Sequence, residues 1–114
     1  MVEGMDNDDD NAIPPQPPTI KFGLGKLVAT PGARDALTRN GQHISELLAM
    51  HMGGDWGDVS AEDARLNDAA VAHEEDPELR TRVLSAYVLN DGTRLWVITE
   101  ADRSSSCALL PEEY

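Results

Sequence analysis

Residues 83–99 read VLSAYVLNDGTRLWVIT, and the fold turns on this stretch. Two β-rich runs, 83–89 and 93–99, flank Asn90-Asp91-Gly92. Asn, Asp and Gly tolerate the positive φ that a tight reversal between twisted strands demands, so the stretch predicts a β-hairpin. Downstream, Ala101-Asp102-Arg103 reads as a turn into SSCALL, residues 105–110, a third antiparallel strand whose edge is available for pairing between subunits.

Upstream of the hairpin the pattern is helical. Thr30-Pro31 is a helix start, with Thr as N-cap and Pro at the first helical position, where its missing N–H costs nothing. That helix should reach about Arg39 and stop at Asn40-Gly41. A second follows, with Ile44, Leu47, Leu48 and His51 on one face, and Gly53-Gly54 ends it. Ser60 with Asp63 resembles a capping box for a third helix running to about His73, before Asp76-Pro77. Its inward stripe is read as Leu66, Ala70 and either Ala69 or Val71. A short β-rich run, KLVAT (26–30), precedes the helices. The order is β-α-α-α-β-β-β: an α+β fold, a small antiparallel sheet with helices on one face.

Composition sets the outer limits. The chain has 114 residues, enough for one modest core. Residues 1–18, MVEGMDNDDDNAIPPQPP, hold five acids and four prolines without a basic residue, and are expected to be a disordered, solvated tail. The folding unit is then residues 19–114. No apolar run is long enough for a membrane span, and an acidic start does not fit a secretory signal. Cys107 is the only cysteine, which leaves neither an intramolecular disulfide nor a thiolate metal site. The expectation is a cytoplasmic protein without membrane contact. The net charge of −12 is concentrated: residues 55–78 hold nine acids against Arg65, a local −8. A direct nucleic-acid binder would show the opposite, a basic face, so none is expected.

From Lys21 onward, five stretches occur in the order of a bacterial family known as "plasmid-related protein": VATPGA (28–33), GDWG (54–57), LSAY (84–87), LWVITEADRS (95–104) and LLPEEY (109–114). The chain resembles that family over nearly the whole folding unit; the acidic tail lies outside the pattern. The resemblance implies a mobile-element setting and no particular chemistry.

Candidate sites follow from residue chemistry. Trp56 lies between glycines in an acidic stretch, where Asp55, Asp58, Glu62 and Asp63 offer oxygen ligands. The calcium-loop pattern is absent, so no metal is expected, and a lone tryptophan between helices more simply anchors the joint. The reading taken is a partner-binding surface of Trp56, Asp55, Asp58, Glu62, Asp63 and Asp68. His43, His51 and His73 form no zinc motif, and GLGK (23–26) lacks the rest of a phosphate loop, so no cofactor is expected. Cys107 reads as a small buried hydrophobe. In TEADR (99–103), Glu100, Asp102 and Arg103 either fix a corner or form a catalytic group, with Glu100 as base and Arg103 on a phosphate.

Three functions are therefore expected in order. The first is a non-enzymatic protein-binding module of a mobile element, acting on a host or element-encoded protein, in its sharper form a nucleic-acid mimic that inhibits a nucleic-acid-binding enzyme of a defence system. The second is a hydrolytic nuclease using Glu100, Asp102 and Arg103, since the element order is similar to that of bacterial ribosome-dependent RNase toxins. The third is an oligomerising accessory protein.

Overall fold

The computed structural model describes residues 20–114; the acidic tail proposed for 1–18 lies outside them. Strand β1 (Lys26–Ala29) leads into helices α1 (Pro31–Arg39), α2 (Ile44–Met52) and α3 (Ala61–Ala72). Strands β2 (Val83–Val88), β3 (Arg94–Thr99) and β4 (Ser105–Leu109) follow, and a 3-10 turn at Pro111–Glu113 ends the chain. The fold is α+β, in the expected element order.

The expected helix signals are in place. Thr30 Oγ1 accepts the Ala33 N–H at 3.1 Å and Ser60 Oγ accepts the Asp63 N–H at 3.0 Å. Glu62 and Asp63 in the first turn of α3 complement its dipole. The expected stripe of α3 holds at Ala70, with Val71 packed against the same cluster, and fails at Leu66. Leu66 is 59 % exposed, and Asn67 is buried beside Ala70. Asn67 faces inward because the edge of β2 needs its amide.

The sheet is mixed, a correction to the antiparallel expectation. Its order is β1-β4-β3-β2; β2/β3 and β3/β4 are antiparallel, and β1 pairs parallel with β4. A parallel pairing needs a long crossover, and the three helices between β1 and β2 are part of it. The same order corrects the reading of residues 105–110 as an edge: β4 is interior, hydrogen-bonded on both sides. Among the described residues the edges are β1 and β2.

The edge of β2 is closed by the chain itself. Asn67 donates Nδ2–H to the Leu84 carbonyl at 2.8 Å and accepts the Leu84 N–H at 3.2 Å. Beside it, Ala86 N–H donates to Trp56 O and Asp58 N–H to Ala86 O, at 3.0 and 2.6 Å. This bridge is centred on Gly57 (φ 73°), where a Cβ would lie 2.1 Å from the Ala86 oxygen.

Alternation along the strands turns Tyr87, Leu95, Val97 and Ala108 toward Ala33, Ala36, Leu37, Leu47 and Leu48 of α1 and α2. A smaller cluster joins Phe22, Trp56, Ala70 and Val83. Among the described residues no helix is long and apolar enough to cross a membrane.

Candidate protein-interaction face

The residues expected to bind a partner do different jobs. Trp56 is 6 % exposed, stacked on Phe22 with ring centres 6.1 Å apart and edge-on to His51 at 5.9 Å. Its Nε1–H donates to Asp68 Oδ1 at 3.0 Å. Trp56 is the buried anchor expected of a lone tryptophan between helices, which sets it apart from the exposed carboxylates grouped with it. Asp55 accepts the Gly57 N–H through Oδ1 at 3.2 Å and the Tyr87 hydroxyl through its carbonyl at 2.7 Å. Burial, foremost, pushes the Tyr87 phenol up to about 12. Asp58 pairs with Arg94 at 2.7 Å. Glu62 and Asp63 stand exposed on α3.

The carboxylates are thus partly spent inside the molecule. Arg94 and Arg103, from outside the acidic segment, pair with Asp58 and Glu74 and reduce its net charge from −8 to −6. Helix α3 itself carries Glu62, Asp63 and Asp68 against Arg65, a net −2.

The residues of the nuclease reading do not converge on an open point. Arg103, at φ 58°, has a side chain only 7 % exposed. Its Nη2 donates to Glu74 Oε1 at 2.8 Å, its Nε to both Glu74 oxygens, and its Nη1 to the carbonyls of Thr81 and Glu100 at 2.7 and 2.9 Å. The guanidinium also lies over the Phe22 ring, 5.3 Å from its centre. Its hydrogen-bonding capacity is directed into the corner, and a phosphate would have to displace these bonds. Asp102 accepts the Ser104 N–H at 2.9 Å, which is turn chemistry, and Glu100 is exposed. Among the described residues no three His, Cys, Asp or Glu side chains come together in a way that would hold a metal ion.

His51 occupies a buried polar chain. Its Nδ1 lies 2.6 Å from Ser85 Oγ and its Nε2 2.9 Å from Thr99 Oγ1. Thr99 Oγ1 is 2.6 Å from Ser106 Oγ, which donates to the Leu24 carbonyl at 2.8 Å. Burial, with Arg103 second, lowers the imidazole from 6.5 to about 4. The signal in the sequence was hydroxyls at inward strand positions 85, 99 and 106, opposite a histidine on an apolar helix face.

The sequence reading missed the other side of the sheet, where Arg82 and Tyr114 are accessible and Leu84, Trp96 and Cys107 partly exposed. Leu84, Ile98, Cys107 and Val28 lie in one row across the four strands, and Ala86, Trp96 and Leu109 in the next. These positions alternate with the inward set, so they face away from α1 and α2. Strands apolar on both faces signal a sheet covered on both sides: α1 and α2 cover the inner face, α3 lies along the β2 edge, and Ala86, Ile98 and Leu109 on the outer face are themselves buried. The terminal turn packs on β3, and Tyr114 sits edge-on to Trp96 with ring centres 5.7 Å apart. Arg82 Nη1 donates to the Tyr114 hydroxyl at 2.7 Å, and its guanidinium lies over that ring. Tyr114 remains 67 % exposed.

The turn is pinned from behind. The Glu113 carboxylate accepts the Thr30 hydroxyl and the N–H groups of Gly32 and Leu110, which draws its pKa below the usual range. Stretches 28–33 and 109–114, distant in sequence, meet there. Toward α3 the face continues into a groove of about 430 Å³ lined by Asp63, Leu66, Asn67, Thr81, Arg82 and Leu84. Exposed Leu66 and partly exposed Leu84 form its apolar walls.

No family model, curated protein or solved structure matches the chain.

Proposed function

We propose that this chain is a non-enzymatic protein-binding module whose contact surface is the outer sheet face and the adjoining α3–β2 groove. The observation that carries the reading is Trp96, Tyr114 and Arg82 locked together on an apolar face opposite α1 and α2. Trp, Tyr and Arg dominate binding energy at interface centres, and a surface already held in place loses little freedom on binding. Glu62 and Asp63 lie beside the groove as rim charges, which steer encounter more than they add affinity.

The setting implied by the family resemblance is a bacterial mobile element, and the partner is a host or element-encoded protein. The mimicry version draws less support. A twelve-residue helix spans ~18 Å, along which duplex DNA carries about ten charges, whereas α3 carries a net −2. The nuclease reading draws none, because Arg103 is engaged with Glu74.

The test is capture from a bacterial lysate with the full chain, eluted in rising salt. An apolar, aromatic contact predicts a partner retained at 0.5 M salt and lost with Trp96→Ala or Tyr114→Ala. Release by moderate salt, with binding abolished by Glu62→Gln/Asp63→Asn and indifferent to the aromatic changes, would overturn the reading.

A further inference from the structure

We infer that β1 is a self-pairing edge: two copies of this chain join β1 to β1 antiparallel, about a two-fold axis at Val28, making one continuous eight-stranded sheet. The surface is separate from the Trp96–Tyr114 face, so the inference stands or falls independently of the proposed function.

The two edges of the sheet are treated oppositely. On β2, the Asn67 amide and the Gly57 bridge occupy the free backbone groups of Leu84 and Ala86. On β1, Lys26 N–H donates inward to Ser104 O and Thr30 N–H to Ala108 O, each at 3.0 Å. Alternation therefore directs the N–H and C=O of Leu27 and Ala29 outward. Nothing within the described residues bonds to them across the edge, since β1 ends the sheet. Leu27 is 56 % exposed, and between β1 and α2 lies an apolar groove of about 100 Å³, lined by Leu27, Ala29, Ile44, Leu48 and Ala108. Of the devices that blunt an exposed edge, Lys26 and the shortness of the four-residue strand are present in KLVA, without proline or an inward charge.

A second copy fits this edge by register and by charge. With Val28 opposite Val28, Leu27 of each copy faces Ala29 of the other, and both pairs exchange two backbone hydrogen bonds. The large residue of one copy then lies beside the small residue and groove of the other. Lys26 falls opposite Thr30, so no like charges meet. The acidic residues 55–78 bind at the β2 edge through Gly57 and Asn67. Joining at β1 leaves the two β2 strands seven strand spacings apart, about 34 Å at ~4.8 Å each. That is several times the ~8 Å screening length at physiological salt. Of the two sheet edges, β1 is the one that keeps the acidic ends farthest apart. A four-residue strand pair and one small groove bury less than the ~800 Å² per copy of a stable complex, so the dimer is weak and concentration-dependent.

The experiment is sedimentation equilibrium of the full chain up to about 1 mM, at 0.15 and 0.5 M salt. The expected result is a mass rising from 12.4 kDa toward twice that with concentration, more readily at high salt because each copy carries a charge of −12. Leu27→Pro removes an outward N–H while the inward bonds of Lys26 and Thr30 persist, and proline is tolerated at a sheet edge. Leu27→Lys adds charge at the same place. Both should stay monomeric with unchanged circular dichroism. Val28→Cys in a Cys107→Ser background should form an intermolecular disulfide under mild oxidation, the background change preventing capture by Cys107 across β4. A wild-type monomer at the highest concentration overturns the inference. So does a dimer that both Leu27 variants preserve, or one whose Val28→Cys form does not cross-link.

Discussion

Fully buried His51 has two ring nitrogens to satisfy, and Ser85 and Thr99 satisfy both. The polarity of the chain follows from counting protons. Ser106 donates to Leu24 O and so accepts from Thr99; Thr99 accepts from Nε2–H, and Nδ1 accepts from Ser85. A second ring proton has no acceptor in that arrangement, which agrees in direction with a pKa near 4. The unfolded chain binds that proton at 6.5, so between pH 6.5 and 4 it holds more protons than the folded one and stability falls as pH falls. The loss is about 3 kcal/mol across the window, at ~1.4 kcal/mol per pKa unit. Urea midpoints should drop between pH 7 and pH 4.5 in the wild type and not in His51→Gln, whose own stability is lower. Carboxylates join at the lower end of that window: the contribution of Glu113 is lost as pH falls below 4.5, and that of Asp91, lowered to about 2 foremost by its Thr93 side-chain hydrogen bond, as pH falls from 3.8 toward that value. Gly57 is a second residue-scale constraint. Gly57→Ala combines a positive φ with a Cβ 2.1 Å from Ala86 O and 2.8 Å from the Tyr87 ring. It should cost about 2–4 kcal/mol in urea unfolding. The tryptophan between glycines is thereby explained: Gly57 lets the backbone reach β2, and Trp56 fills the space beneath.

At the scale of elements, α3 is held less by apolar burial than by what it does for β2. Asn67→Ala would leave the Leu84 N–H and C=O without partners inside the α3–β2 contact. Destabilisation of about 2 kcal/mol is expected, with faster hydrogen exchange at the Leu84 amide; unchanged exchange there would show that water replaces the side chain. The same interaction explains why Asn67, and not the expected Leu66, is buried beside Ala70. An alanine-rich helix has a faint apolar stripe, and the inward position of a polar Asn67 depends on an unpaired strand edge that no local pattern contains. Where the signal was local, the sequence was legible: the Thr30 and Ser60 caps, the Gly53-Gly54 stop and the hairpin are all found. The parallel pairing of β1 was not, because its strand mate lies some eighty residues away.

For the whole molecule, the sheet divides the surface into regions of different character. The β2 edge is sealed and borders the acidic residues, the β1 edge is unpaired among the described residues, and the sheet face away from α1 and α2 carries Trp96, Arg82 and Tyr114. The acidic segment is conspicuous in the sequence because charge can be counted without a fold. The outer face is not, because it draws on β2, β3, β4 and the last residue of the chain. Its one legible trace was that RLWVIT is apolar at both alternating sets of positions, more than a half-solvated strand requires. The most direct test of the account is the affinity of a captured partner for the wild type and for Tyr114→Ala. Tyr114 is two-thirds exposed, so its truncation should leave the melting temperature nearly unchanged. A loss of about thirtyfold, equivalent to a ~2 kcal/mol hot spot, is the predicted result. Affinity within twofold of the wild type, together with loss of binding in Glu62→Gln/Asp63→Asn, would contradict the account and return the binding site to the acidic helix.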